Sequence, residues 1–401
     1  MKKFVLPIKT FAFFLLCISS NAYAAETQTI DIFNTVNNGD KKLITNLVVV
    51  DFTSNDTFHS SNRAQEYSDT SARLRFVSSI KLNNKLSIHS QFAINPIYTD
   101  SYNQRRDASP NGGGNRSFEN EGLVANELYL KYREDKYTLL LGKMNLNYGS
   151  AWRWDRGIWT YELANEYRQV GKITTGAVYH LGNAKTTGQY NFNFNFFKND
   201  RKYLDNSLFV KNDIANKSQA QAGDDNLLKS YMASLDIKFD FGEKEKLTYN
   251  FGYIKSAVNE QYSLVPSSRL KDQNGIVLGM NYKYPVRENY DIDALIEYSK
   301  MNNLNGDAAL NERYFTANII NKLYNNWLIT AGYSSHSSNL LQRNGYNQKL
   351  AELSFGYEFN KTAFFDRFII QTGYKNMQND FKTNVENRNT LGLLIRYYKS
   401  F

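Results

Sequence analysis

Cysteine is all but missing from this chain of 401 residues: the single thiol, Cys17, sits in an apolar stretch near the N-terminus. Removal of that stretch leaves no cysteine, which excludes disulfides and thiolate-held metal sites and suits export through an oxidising compartment. Long apolar runs are missing too. Beyond the N-terminal stretch nothing approaches the roughly 20 residues that a membrane-crossing helix needs. Histidine is scarce at 4 residues and proline at 5. The formal net charge is +9, but the charges are spread along the chain and form no basic run, so a nucleic-acid partner is not implied.

The N-terminus reads as an address. Lys2, Lys3 and Lys9 precede or flank an apolar core from Phe11 to Ile18, and Ala22-Tyr23-Ala24 is the small-x-small pattern that a signal peptidase cleaves. Residues 1–24 are therefore expected to be a signal peptide cut after Ala24. Leu16 stands before Cys17 where a lipoprotein signal has a small residue, so Cys17 is filler of the apolar core. Residues 25–40, with Ile30, Ile32 and Phe33 among polar neighbours, form an N-terminal periplasmic segment; a short helix or an extra half-strand fits equally.

What the chain has in plenty is aromatic side chains, with 29 Tyr and 26 Phe, inside a sequence whose mean hydropathy is only −0.56. A polar chain rich in rings can cross a bilayer as a closed barrel, whose strands need about 9–11 residues with only every second one apolar. Tyr190-Asn191-Phe192-Asn193-Phe194-Asn195-Phe196 shows the pattern. In a strand the rings share one face and the asparagines the other. Residues 231–241 repeat it, with Ser234, Asp236, Lys238 and Asp240 facing inward. Sixteen strands are predicted, over 41–54, 71–82, 86–99, 124–134, 136–144, 172–181, 187–197, 228–241, 245–256, 274–285, 289–300, 312–324, 326–335, 349–360, 365–376 and 387–401.

The connections alternate in length. Tight ones, such as Asn83-Asn84, Glu134-Asp135 and Gly182-Asn183, separate long polar ones at 55–70, 100–123, 145–171, 198–227, 257–273, 301–311, 336–348 and 377–386. That is the arrangement of an all-β, antiparallel transmembrane β-barrel over residues 41–401, with short periplasmic turns, long extracellular loops and both ends in the periplasm. An ordinary β-sandwich predicts no such alternation. Tyr98, Tyr132, Tyr179, Tyr284, Tyr298, Tyr324 and Trp327, near strand ends, are expected to form the aromatic girdles at the two membrane boundaries.

One long segment stands apart: residues 145–171 hold Trp152, Trp154 and Trp159, three of the four tryptophans, together with Arg153, Asp155, Arg156, Tyr161 and Glu162. Gly142-Lys143 ends the preceding strand and Tyr148-Gly149 follows. This stretch resembles the segment of bacterial porins in which a strand ending in Gly-Lys or Gly-Arg leads through an aromatic-Gly turn into a loop folded back inside the barrel. The acidic Pro-Glu-Phe-Gly-Gly-like turn of the best-known porin loops has no counterpart. The terminal Phe401, after Leu391, Leu393, Ile395 and Tyr397, resembles the C-terminal signal of outer-membrane barrels, with Lys399 departing from it.

The resemblance implies an outer-membrane protein that forms a water-filled channel for passive diffusion of small hydrophilic solutes and ions. Its partners would be the lipid bilayer, lipopolysaccharide and the outer-membrane assembly machinery, and homotrimers are common in the family. A sixteen-stranded barrel is wide, so a constriction is required. Trp152, Trp154, Trp159 and Tyr161 are expected to pack on the inner wall, leaving Arg153, Asp155, Arg156 and Glu162 for the pore. Arg73, Arg75, Lys131 and Arg133 share the inward parity of the facing strands, and such a wall suggests mild anion preference. No cofactor is implied. His59 and His336 are expected in outer loops, His89 and His180 on strands, and no pair has metal-ligand spacing; with no catalytic motif, enzymatic activity is not expected. A substrate-specific channel for sugars, phosphate or carboxylates, or a barrel with adhesive outer loops, are the alternatives.

Overall fold

The computed structural model describes residues 43–96, 116–117, 121–153, 155–200, 223, 228–242, 244–258, 267–340, 346–381 and 384–401. The expected signal peptide, the 25–40 segment, Tyr98, Trp154 and most of the connections at 100–123 and 198–227 lie outside them.

Sixteen long strands follow one another: β1 (Ile44–Ser60), β2 (Ser68–Lys81), β3 (Leu86–Pro96), β4 (Glu121–Arg133), β5 (Tyr137–Met144), β6 (Lys172–Asn183), β7 (Gly188–Asn199) and β8 (Ser230–Asp240), then β9 (Lys246–Ser256), β10 (Gln273–Arg287), β11 (Tyr290–Asn302), β12 (Leu310–Leu323), β13 (Trp327–Leu340), β14 (Tyr346–Phe359), β15 (Arg367–Asp380) and β16 (Val385–Ser400). Each pairs antiparallel with its chain neighbour, and β1 pairs with β16 from Leu47↔Ser400 to Ser60↔Arg388. Phe401 completes the seam, its backbone exchanging both hydrogen bonds with Asn46. Closure matters because an open edge would leave backbone polar groups facing lipid. A two-residue bridge, Arg116–Ser117, adds to the outer end of β2 in parallel.

The side-chain alternation explains why these residues form strands. On β7, Phe192 and Phe194 are both 44% exposed on the outer face, whereas Asn191 and Asn195 are buried on the inner one. Leu128 and Leu130, Leu139 and Leu141, Leu278 and Met280, and Leu353 and Phe355 continue the outward apolar belt. Tyr179, Tyr284 and Trp327 join it, and Tyr324 lies in a tight turn. The inner face is polar but not empty.

Several strands run beyond their predicted ends. β1 continues to Ser60, β13 to Leu340 and β15 to Asp380, and β14 and β16 begin earlier than predicted. The connections expected at 55–70, 336–348 and 377–386 are therefore mostly tall hairpins. His59 and His336 accordingly sit on strands, not in loops. Above the apolar belt both faces of a strand are polar, so the period-two signal fades while the backbone ladder, as in Ser337↔Asn347 and Asn379↔Glu386, carries on.

Candidate functional site

Residues 145–171 leave the outer end of β5 and turn into the barrel, meeting the wall strands in ring order. Asn147 donates to Asp236 on β8, and the Gly149 amide donates to Asn250 on β9 at 3.2 Å. Tyr148 lies among Ile254, Val277 and Met301. Then come two wall carboxylates. Glu297 on β11 accepts from the Ser150 amide at 2.6 Å, the Ser150 hydroxyl at 3.0 Å, the Ala151 amide at 3.0 Å and the Tyr167 hydroxyl at 2.5 Å. Glu352 on β14 accepts from the consecutive amides of Ile158, Trp159 and Thr160 at 2.7, 2.8 and 2.7 Å, and from the Thr160 hydroxyl at 2.8 Å.

Each carboxylate thus satisfies backbone donors that have no ladder to join, the requirement that any irregular segment must meet inside a barrel. Gly157, with φ +97°, makes the turn that presents the three amides to Glu352; an L side chain there is strained, and its Cβ would meet Glu352 Oε1 at 2.5 Å. Beyond Thr160 the loop reaches β15, β16 and β1. Trp159 is buried against Gly392 on β16 and donates from Nε1 to Asn55 on β1 at 2.9 Å. Glu162 pairs with Lys375 on β15 at 2.9 Å, and the same ammonium lies 5.3 Å from the Trp159 ring centre. The return limb closes through the Leu146 amide and the Gln169 carbonyl at 2.8 Å.

The expected loop residues divide differently from their predicted roles. Trp159 packs on the wall. Trp152 stays within the loop, donating to the carbonyls of Tyr148 and Gly149. Arg156, assigned to the pore, turns to the wall instead: it is buried and pairs with Asp293 on β11 at 2.5 Å. Burial lowers its pKa, but Asp293 and Asp155 outweigh that and raise it. Glu162 is tied to the wall by Lys375, while Arg153, Asp155 and Tyr161 remain half-buried. Burial, reinforced by the Glu297 charge, pushes the Tyr148 and Tyr167 phenols up, so both stay neutral.

The wall residues form a basic column where the barrel closes. Asp51 on β1 bridges Arg75 on β2 at 2.5 Å and Arg396 on β16 at 2.7 Å. Arg73 lies beside the same group, leaving three guanidinium groups around one carboxylate. Lys131 and Arg133 continue the basic surface on β4, next to His89 and His180. Half a turn around the ring, Asp236 is held by the amides of Asn147, Asn193 and Asn250, and Glu297 by the Ser150, Ala151 and Tyr167 donors, with the Arg156 charge nearby. Charges of opposite sign therefore flank the lumen.

Sequence reasoning missed both anchoring carboxylates and the inner apolar bed of Met232, Ile254, Val277 and Met301 beneath the loop. The bed had a signal: these residues stand on the lumen parity of four consecutive strands, where polar residues are the rule.

No protein-family model matches the sequence, and no curated protein is detectably similar to it. Solved structures are similar in fold. The outer membrane channel DcaP of Acinetobacter baumannii superposes with a TM-score of 0.56 at 12% identity, covering 89% of this chain and 97% of that one. OprB of Pseudomonas putida, in its high-pH structure, gives 0.57 at 10% identity, with 89% and 94% covered. The loop L8 deletion mutant of OmpT, an outer membrane protein of Vibrio cholerae, gives 0.50 at 12% identity, with 89% and 100% covered. The chain has the fold of the outer-membrane porins.

Proposed function

We propose that this protein is an outer-membrane porin: a water-filled channel for passive diffusion of small hydrophilic solutes and ions, narrowed by residues 145–171. The observation that carries this reading is the loop itself, pinned inside a closed barrel by wall groups from β8 round to β1. A loop so held narrows the lumen permanently, without needing a ligand to close it. Transport through it is diffusion, with no bond made or broken and no catalytic step.

The basic column of Arg73, Arg75 and Arg396, with Lys131 and Arg133, favours anions over cations, because fixed charge in a narrow aqueous path raises the local concentration of counter-ions. The same column supports a second reading, a channel specific for carboxylates or phosphates. Planar-bilayer recording with the purified protein tests both. Stable ohmic steps with a higher permeability for chloride than potassium are expected, together with liposome swelling that slows as sugars grow larger. Saturable block by a single anionic solute would favour the specific channel; no current in the bilayer would end both.

Export through cleavage after Ala24, recognition of Phe401 by the assembly machinery, contact with lipopolysaccharide and assembly as a homotrimer belong to the same proposal. Its first part predicts an N-terminus at Ala25 on protein extracted from outer membranes.

A further inference from the structure

Where the return limb of the loop meets β12 and β13, three side chains from three separate elements converge. Glu166 belongs to a short 3-10 turn, Ala164–Glu166, Glu312 to β12 and His336 to β13. One donor atom of each lies within 4.8 Å of the other two. Both strands carry these residues at their outer ends, so the group faces the outer side of the constriction.

The imidazole is fixed. It stacks on Tyr314 with ring centres 4.5 Å apart, and Tyr346 meets it edge-on at 5.7 Å. It is 1% exposed. Nδ1 lies 3.4 Å from Gln348 Oε1 and 3.6 Å from Glu166 Oε2; with an Nδ1 proton donated to Gln348, the Nε2 lone pair is the one that serves as a ligand. Nε2 is aimed at Glu312 Oε2, 3.4 Å away, without the alignment of a hydrogen bond, and water does not reach it. The Tyr314 hydroxyl is within hydrogen-bond reach of both carboxylates. Two carboxylates converge on one imidazole in a place mostly shielded from water, a concentration of negative charge that a bound dication would offset.

We propose that Glu166, Glu312 and His336 form a binding site for a divalent transition-metal ion of the zinc class. This goes beyond the channel reading and does not depend on it. One imidazole nitrogen with two carboxylate oxygens is a borderline donor set that suits zinc better than calcium or magnesium, which take more oxygens and keep their water. Zinc bonds of about 2.0–2.2 Å require the three groups to draw together slightly around the ion. A fourth position stays open toward Glu166, the most exposed of the three. Because Glu166 is on the loop and the other two are on the wall, the ion would tie the return limb to β12 and β13.

Chain spacing gives no hint of this site, since 146 and 24 residues are no ligand motif; only strand pairing brings the groups together. Equilibrium dialysis of the folded, detergent-solubilised protein against zinc, with calcium and magnesium in parallel, is the test. One zinc per chain is expected, with no comparable uptake of calcium or magnesium, and at least tenfold weaker zinc binding in both His336→Ala and Glu166→Gln. Glu166→Gln lies on the loop and leaves the barrel ladder intact, so it serves if His336→Ala does not fold. Absence of zinc binding by the unaltered protein, or equal binding by Glu166→Gln, overturns the proposal, the first outcome meaning that a protonated imidazole alone sits between the carboxylates. Dialysis needs no ion current, so failure of the channel reading would be seen separately.

Discussion

Glu352 holds three consecutive amides of the loop, so its loss strands donors and does more than remove an attraction. An unsatisfied buried amide costs roughly 1–3 kcal/mol, and Glu352→Ala leaves three without their acceptor. The loop is expected to leave its seat while the barrel stays closed, giving a severalfold larger and noisier single-channel conductance with unchanged strand content by circular dichroism. Glu352→Gln keeps one acceptor oxygen and should fall between. Gly392→Leu attacks the same seat from the wall: even a Cβ would lie 2.2 Å from the Trp159 ring, and overpacking of about 1–3 kcal/mol is read as a lowered unfolding temperature. At the short-turn end of the barrel, Asp366 accepts from the amide and hydroxyl of Ser400. Burial raises its pKa, but the Ser400 donors and Lys361 outweigh that, leaving it below the ordinary 3.8. Its folded-state pKa is depressed, so its contribution to stability is full above the unfolded value and fades as pH falls through the folded one. Asp366→Asn should therefore narrow the gap between unfolding temperatures at pH 7 and pH 3; an unchanged gap would remove the seam contact from the account. Lys399, the departure from the usual C-terminal pattern, escapes the apolar belt by reaching the Ala363 carbonyl at 2.7 Å.

The strands were legible in the sequence because a single physical demand, lipid on one side and water on the other, acts on every second residue. Tyr190 to Phe196 shows it in its plainest form. Their outer ends were less so, since beyond the bilayer nothing distinguishes the two faces of Ser335 to Leu340. The inward loop was legible in its aromatic content, as rings seek a wall to pack on. Its anchors were not, because Glu297 and Glu352 look like any other lumen-facing acid until the amides that they serve are known. The fate of Arg156 was hidden for the same reason: its partner Asp293 lies 137 residues away. These two levels of structure are separable, and that makes a prediction. The ladders from β1 to β16 close without help from residues 145–171, so replacement of residues 147–168 by a short Gly-Ser linker should leave a folded barrel that shows the usual heat-dependent gel mobility and admits sugars too large for the intact channel. Loss of folding would show instead that the apolar bed of Met232, Ile254, Val277 and Met301 needs the loop as its cover.

Across the whole molecule, the charge pattern has a direction. Arginines crowd the seam of β16, β1 and β2, and acids held by neutral donors lie half a turn away at β8 and β11. A field across the lumen follows, acting on any ion that must squeeze between the wall and the loop. Mobile salt opposes it. The Debye length is about 10 Å at 0.1 M and 3 Å at 1 M, so at low salt the guanidinium groups act across the constriction and at high salt only on what touches them. Anion preference, measured as the reversal potential under a tenfold salt gradient, should thus be clearest when the gradient is centred near 0.1 M and shrink when it is centred near 1 M. Arg73→Gln with Arg133→Gln removes two positive charges and leaves the Asp51 bridge between Arg75 and Arg396 in place, so the reversal potential is expected to move toward the cation side. Asp51→Asn works in the opposite sense: it removes the negative charge that bridges buried Arg75 and Arg396, which strengthens anion preference but weakens the seam, since breaking a buried ion pair costs about 3–5 kcal/mol. If the double arginine variant keeps the selectivity of the unaltered protein at both salt levels, the lumen field is not set by these residues, and the preference must come from the outer loops.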